Sequence, residues 1–93
     1  MAFELKDFER SFTPKGDNRG IFNIVREDDE NDGLRFYAYM NEAGSYVISR
    51  VTTSGTVRIH EYYGSGKKPT QFSADWTGRE SLTYVEYYLL FPQ

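Results

Sequence analysis

LRFYAYMNEAGSYVISRVTTSGTVRIHEYY, residues Leu34 to Tyr63, decides how this 93-residue chain folds. It reads as three short strands joined by two glycine-bearing turns. Asn41-Glu42-Ala43-Gly44 has Asn first and Gly fourth, the preference of a type I turn whose last residue goes left-handed. Thr53-Ser54-Gly55 between Thr52 and Thr56 reads as a three-residue loop with Gly in the left-handed position. Closing Thr52 on Thr56 sets Val51 against Val57, Arg50 against Arg58, Ile48 against His60 and Tyr46 against Tyr62. A four-residue first loop sets Tyr39 against Tyr46, Tyr37 against Ile48 and Arg35 against Arg50. A three-residue closure of the same turn instead places Tyr46, Ile48 and Arg50 opposite Met40, Ala38 and Phe36. The four-residue closure is the preferred reading, and the difference matters because a one-residue slip moves every side chain of a strand to the other face.

Side chains alternate across a pleated strand, so the preferred register separates two faces. One is apolar, with Leu34, Phe36, Ala38, Met40, Val47, Ser49, Val51, Val57 and Ile59, and Glu61 toward the rim. The other carries three cross-strand rows: Arg35, Arg50 and Arg58; Tyr37, Ile48 and His60; Tyr39, Tyr46 and Tyr62. Arg35, Tyr37, Tyr39, Tyr46, Arg50, Arg58, His60 and Tyr62 are therefore the candidate binding residues, an aromatic and cationic platform. Tyr and Arg are enriched at protein–protein contacts, which makes a partner or a second copy the first expectation. The alternative is single-stranded nucleic acid, with bases stacked on the tyrosines while Arg35, Arg50 and Arg58, joined by Lys67 and Lys68, track phosphates.

Composition sets outer limits. Ninety-three residues make one domain with one modest core. Eleven basic against 14 acidic residues give a net charge of -3, unlike the basic field of a duplex-binding protein. Glu27, Asp28, Asp29, Glu30 and Asp32 concentrate the acidity in one run. No cysteine is present, so disulfides and thiolate chemistry are excluded. No apolar stretch reaches the ~20 residues that cross a bilayer, and the amino terminus lacks a signal-peptide core. The expectation is a soluble domain without an export signal.

Eight Tyr and seven Phe, with Thr and Val common, favour strands. The expected fold is mainly β, a small single-domain antiparallel sandwich or barrel around the meander. Met1 to Thr13 is ambiguous between a short helix and a strand, Pro14 to Gly20 reads as loop, and Ile21 to Arg26 as strand. Gly64 to Pro69 reads as a flexible loop. Gln71 to Trp76 alternates Phe72, Ala74 and Trp76, with Trp76 anchoring a core edge. Ser81 to Phe91 is dense in β-formers and reads as strand, although Leu82, Val85 and Leu89 also fit a helical stripe.

No catalytic constellation emerges. Asp28, Glu30, Asp32 and Gly33 follow the opening of a calcium loop, but the third ligand position is Glu and the twelfth is Tyr39, which supplies no bidentate carboxylate. A solvated acidic loop is the simpler reading. His60 is the sole histidine. As a general base it needs an orienting carboxylate, and only Glu61, on the opposite face, is near in sequence. No metal or cofactor is implied, and a non-enzymatic protein is expected.

The string SYVISRVTTSGTVRIHEYYGSG followed by DWTGRESLTY, from Ser45 to Tyr84, resembles small β-rich proteins encoded by bacteriophages and prophages. There, a strand ending in Arg, a Gly turn, a Tyr-rich strand and a W-T-x-R-x-S-L-T-Y segment recur. The resemblance covers about 40 residues and implies a virion or assembly component working through oligomeric contacts.

Overall fold

A computed structural model describes residues 11–12, 20–64, 66 and 68–90. The chain is mainly β. Strands β1 (Ser11–Phe12), β2 (Phe22–Asp28), β3 (Leu34–Met40), β4 (Tyr46–Ser54) and β5 (Val57–Tyr63) form one antiparallel sheet in sequence order. Among the described residues this sheet stays open, where a sandwich or barrel was expected. A 3-10 turn at Pro69–Gln71 leads into helix α1 (Phe72–Thr77), and a second at Arg79–Ser81 follows it. A single turn of helix, α2 (Tyr87–Leu90), ends the described chain. Of the segment Met1 to Thr13, only Ser11 and Phe12 are described, and they pair with Asn23 and Phe22. The remainder of that segment, and the expected loop before Gly20, lie outside the described residues.

Both hairpins close differently from the preferred reading. In the first, the Asn41 N–H donates to the Ser45 carbonyl at 3.0 Å and the Gly44 N–H to the Asn41 carbonyl at 3.1 Å. Three residues remain in the loop, and Gly44 takes the left-handed position with φ 91°. This is the three-residue closure, so Tyr46, Ile48 and Arg50 stand opposite Met40, Ala38 and Phe36. In the second hairpin Ser54 pairs with Val57, leaving only Gly55 and Thr56 in the turn. Gly55 has φ 62° and Thr56 keeps a negative φ, the arrangement of a II′ turn with Gly in its first central position. A primed two-residue turn follows the right-handed strand twist, which accounts for its winning over the longer loop. Arg50 then faces Glu61, Val51 faces His60 and Ile48 faces Tyr63.

One face of the sheet buries Phe36, Ala38, Tyr46 and Ile48 with Phe72 and Tyr84; the other buries Phe22, Tyr37, Tyr39, Val47 and Val51. Each fully buried side chain of this size contributes about 1.5–3 kcal/mol, so both faces stabilise the fold. A bulge between Ile24 and Arg26 lets β2 serve both. Strict alternation would keep residues 22, 24, 26 and 28 together. The extra residue instead leaves Ile24 beside Tyr39 while turning Arg26 and Asp28 toward the α1 face, beside Ala38 and Phe36.

The Gln71 to Trp76 segment is helical where strand alternation was read. Pro69 starts the turn without needing a donor, and Phe72, Asp75 and Trp76 fall on one side at i, i+3 and i+4. Phe72 is buried edge-on to Tyr46, with ring centres 5.2 Å apart. Among the described residues, the expected strand at Ser81 to Phe91 reduces to one bridge, in which Val85 exchanges main-chain hydrogen bonds of 2.7 and 2.9 Å with Tyr62. Tyr84 packs with the α1-side core and Leu90 with the opposite core. The carboxyl-terminal segment thus passes around the β5 edge.

Candidate functional site

The eight candidate residues do not share a face. Arg35, Tyr37 and Tyr39 lie on one side with Arg58, His60 and Tyr62, whereas Tyr46 and Arg50 lie on the other, paired across from Met40 and Phe36. Val47, Ser49 and Val51 fill the middle positions that Tyr46, Ile48 and Arg50 were expected to occupy. The expected three-row platform is corrected accordingly. Three of its four tyrosines are core residues: Tyr37, Tyr39 and Tyr46 are 1%, 5% and 0% exposed, while Tyr62 is half-buried against the same core as Tyr37 and Tyr39. A base cannot stack on a ring so covered. Lys67, the other cation of the nucleic-acid reading with Lys68, lies outside the described residues.

Burial explains the tyrosines' chemistry. The Tyr46 hydroxyl donates to the Asp75 carboxylate on α1, which satisfies a polar tip inside the core. Its phenol is pushed up, chiefly by burial and then by that carboxylate. Burial likewise raises Tyr84, against the opposing pull of Arg50 and Arg79. Tyr84 donates its hydroxyl to the Arg79 carbonyl at 2.8 Å. Burial raises Tyr37 as well, with Arg35 as the main counterweight.

The arginines of the α1 side are structural ties. Arg50 bonds Glu61 at 2.6 Å and lies 4.4 Å over the Tyr84 ring. Arg79 reaches Asp28 at 2.7 Å, donates to the Trp76 carbonyl at 2.7 Å and stacks 4.4 Å from Trp76. Arg26 lies 5.4 Å over Phe72. The acidic run is therefore not one solvated loop: Glu27 and Asp28 belong to β2, and Asp28 holds Arg79. Asp29 to Gly33 makes the turn, where the Gly33 N–H donates to Asn31 Oδ1 at 2.9 Å. Among the described residues, no group of three or more His, Asp or Glu side chains is placed to hold a metal ion.

His60 stands across from Val51, and its pKa is lowered first by burial and then by Arg58. Glu61 points to the opposite face and is engaged by Arg50. The two residues form no acid–base couple.

What sequence reasoning missed is the outer strand. Val57 and Ile59, assigned to an apolar interior face, are 57% and 46% exposed. They lie on β5, the last strand in the sheet order among the described residues. The signal was present in the short loop: once Gly55 and Thr56 alone form the turn, Val57 pairs with Ser54 at the far end of the ribbon. Comparisons with protein-family models, curated proteins and solved structures return no match to this chain. No helix among the described residues is long and apolar enough to cross a membrane.

Proposed function

We propose that this chain is a non-enzymatic structural module that works through protein–protein contacts, with itself or a partner, as a small phage virion or assembly component would. The observation that carries this reading is the placement of apolar surface. Both faces bury tyrosines as core, yet Val57 and Ile59 stay exposed together on β5, the last strand of the sheet among the described residues. Edge strands with apolar side chains invite pairing with another chain unless they are protected. The likeness of Ser45 to Tyr84 to phage-encoded β proteins supports the same reading. Glu61, the carboxylate next to His60 in sequence, is held by Arg50 on the opposite face instead of orienting the imidazole, which favours binding over general-base chemistry.

Nucleic acid gains no support, since three of the four stacking tyrosines it requires, Tyr37, Tyr39 and Tyr46, are buried and Tyr62 is half-buried. Light scattering over a range of concentrations, with and without a single-stranded oligonucleotide at two salt concentrations, tests the reading. Mass above 10.8 kDa without nucleic acid supports it. A fixed monomer mass together with oligonucleotide affinity that falls with salt would replace it with the nucleic-acid reading.

A further inference from the structure

Asp32 is followed by Gly33, and no other Asp or Asn of the chain precedes a glycine. Without a Cβ, Gly33 leaves its own main-chain nitrogen unshielded, so that nitrogen can reach the side-chain carboxyl carbon of the preceding aspartate. Attack forms an N–Cγ bond. The protonated carboxyl loses its OH, which leaves as water with the proton of the Gly33 N–H, and the product is a five-membered succinimide. Water then opens the ring at either carbonyl. At Cγ it restores Asp32; at the main-chain carbon it leaves isoaspartate, with the chain running through the side chain and one methylene longer. Mass is unchanged overall, and no oxidant or cofactor takes part.

The fold holds this dipeptide in a way that governs the reaction. Asn31, Asp32 and Gly33 are exposed in the turn between β2 and β3. The Leu34 N–H donates to the Asn31 carbonyl at 3.2 Å, closing a four-residue turn with Asp32 and Gly33 at its centre. Gly33 stays out of the left-handed region, as in a type I turn. Its N–H, on the nitrogen that must attack, donates to Asn31 Oδ1 at 2.9 Å, an Asx turn. Its carbonyl accepts from the Thr53 N–H at 3.1 Å. Both main-chain groups of Gly33 are thereby held, and ring closure requires the Asn31 bond to break.

We propose that Asp32–Gly33 is a site of spontaneous isoaspartate formation and that Asn31 is the positioning residue that sets its rate, by holding the Gly33 nitrogen. The site is independent of the protein-contact reading above, since the reaction is intramolecular and its rate does not depend on concentration. Conversion inserts a methylene beside Gly33, so the Thr53 hydrogen bond and the closure of the turn are displaced together. The β2–β3 turn then loses its tie to β4.

Peptide mapping with electron-transfer fragmentation, which separates isoaspartate from aspartate, follows position 32 in the full-length chain kept for weeks near neutral pH. The folded native chain is expected to convert more slowly than the same chain in urea. Asn31→Ala should raise the folded rate about twofold to tenfold, the equivalent of one ordinary hydrogen bond. Asn31→Asp, which keeps a side-chain oxygen for the Gly33 N–H, should stay near the native rate. Gly33→Ala shields the nitrogen while its Cβ meets only Asn31 Oδ1, at 3.5 Å, so conversion should fall below that of the native chain both folded and in urea. Absence of isoaspartate at position 32 even in urea, or undiminished conversion in Gly33→Ala, would overturn the site. Equal folded rates for the native chain and Asn31→Ala, or an Asn31→Asp rate as high as that of Asn31→Ala, would overturn the role of Asn31.

Discussion

Replacing Arg79 removes four contacts at once: the Asp28 ion pair, the donation to the Trp76 carbonyl and the approaches to the Trp76 and Phe36 rings. The ion pair is partly exposed, at 22% and 37% for the two side chains, and pairs of that kind contribute less than about 1 kcal/mol. Most of the effect therefore comes from packing of the guanidinium and its stem. Arg79→Ala should lower unfolding free energy by about 2 kcal/mol in a urea titration, and Asp28→Asn by less than half as much. Equal losses would assign the interaction to the carboxylate. Tyr46 and Tyr84 make a second residue-scale prediction. Folding raises both phenols, so the folded protein keeps protons that the unfolded chain releases near pH ~10. Their contribution is complete below that pH and declines as pH rises beyond it toward the folded values. Urea midpoints should fall steeply above pH ~10, and the double variant Tyr46→Phe, Tyr84→Phe should show a shallower decline. His60 acts with the opposite sign. Its lowered pKa contributes stability above the unfolded value of about 6.5 that is lost as pH falls below it. His60→Gln should remove that part of the acid sensitivity.

At the scale of elements, the turns decide which side chains meet. Gly44 and Gly55 both hold positive φ, 91° and 62°, a conformation that costs a side chain about 1–2 kcal/mol. Their surroundings differ. A methyl group on Gly44 would sit 2.6 Å from Pro69 Cγ, whereas none of the protein lies within 4 Å at Gly55. Gly55→Ala should cost about 1–2 kcal/mol and Gly44→Ala about 1–3 kcal/mol more, because the first turn must also move away from the Pro69 turn before α1. Equilibrium unfolding of the two variants checks the order. A smaller loss at Gly44 would mean that this turn does not pack on Pro69. The sequence announced both turns but not their lengths, since a Gly can stand in a four-, three- or two-residue closure and only the global register chooses. The same limit explains Phe72 to Thr77. Six residues hold too few repeats to separate a period of 2 from one of 3.6, and Phe72, Asp75 and Trp76 satisfy the second. At the carboxyl terminus, β-forming side chains were read as a strand, but only Val85 meets a strand edge before the chain passes to the other face.

Over the whole molecule, two cores flank one sheet, and the bulge in β2 and the wrapping carboxyl-terminal segment join them. The β-rich class and the central meander were legible from the spacing of Gly44 and Gly55 among alternating residues. The candidate patch was not, because its coherence depended on registers one step away in the first hairpin and three steps away in the second. Arg35, Tyr37, Tyr39, Arg58, His60 and Tyr62 kept a common face, and Tyr46 and Arg50 crossed to the other. The single platform is thereby divided between two faces. That division depends on the pairing of β3, β4 and β5, and inter-strand Hα–Hα nuclear Overhauser effects report such pairing directly, being strongest at the non-hydrogen-bonded positions where Cα atoms approach to about 4.5 Å. Strong cross-peaks are expected for Ala38 with Ile48, Phe36 with Arg50 and Val51 with His60; cross-peaks joining Arg35 with Arg50, or Arg50 with Arg58, would contradict this pairing.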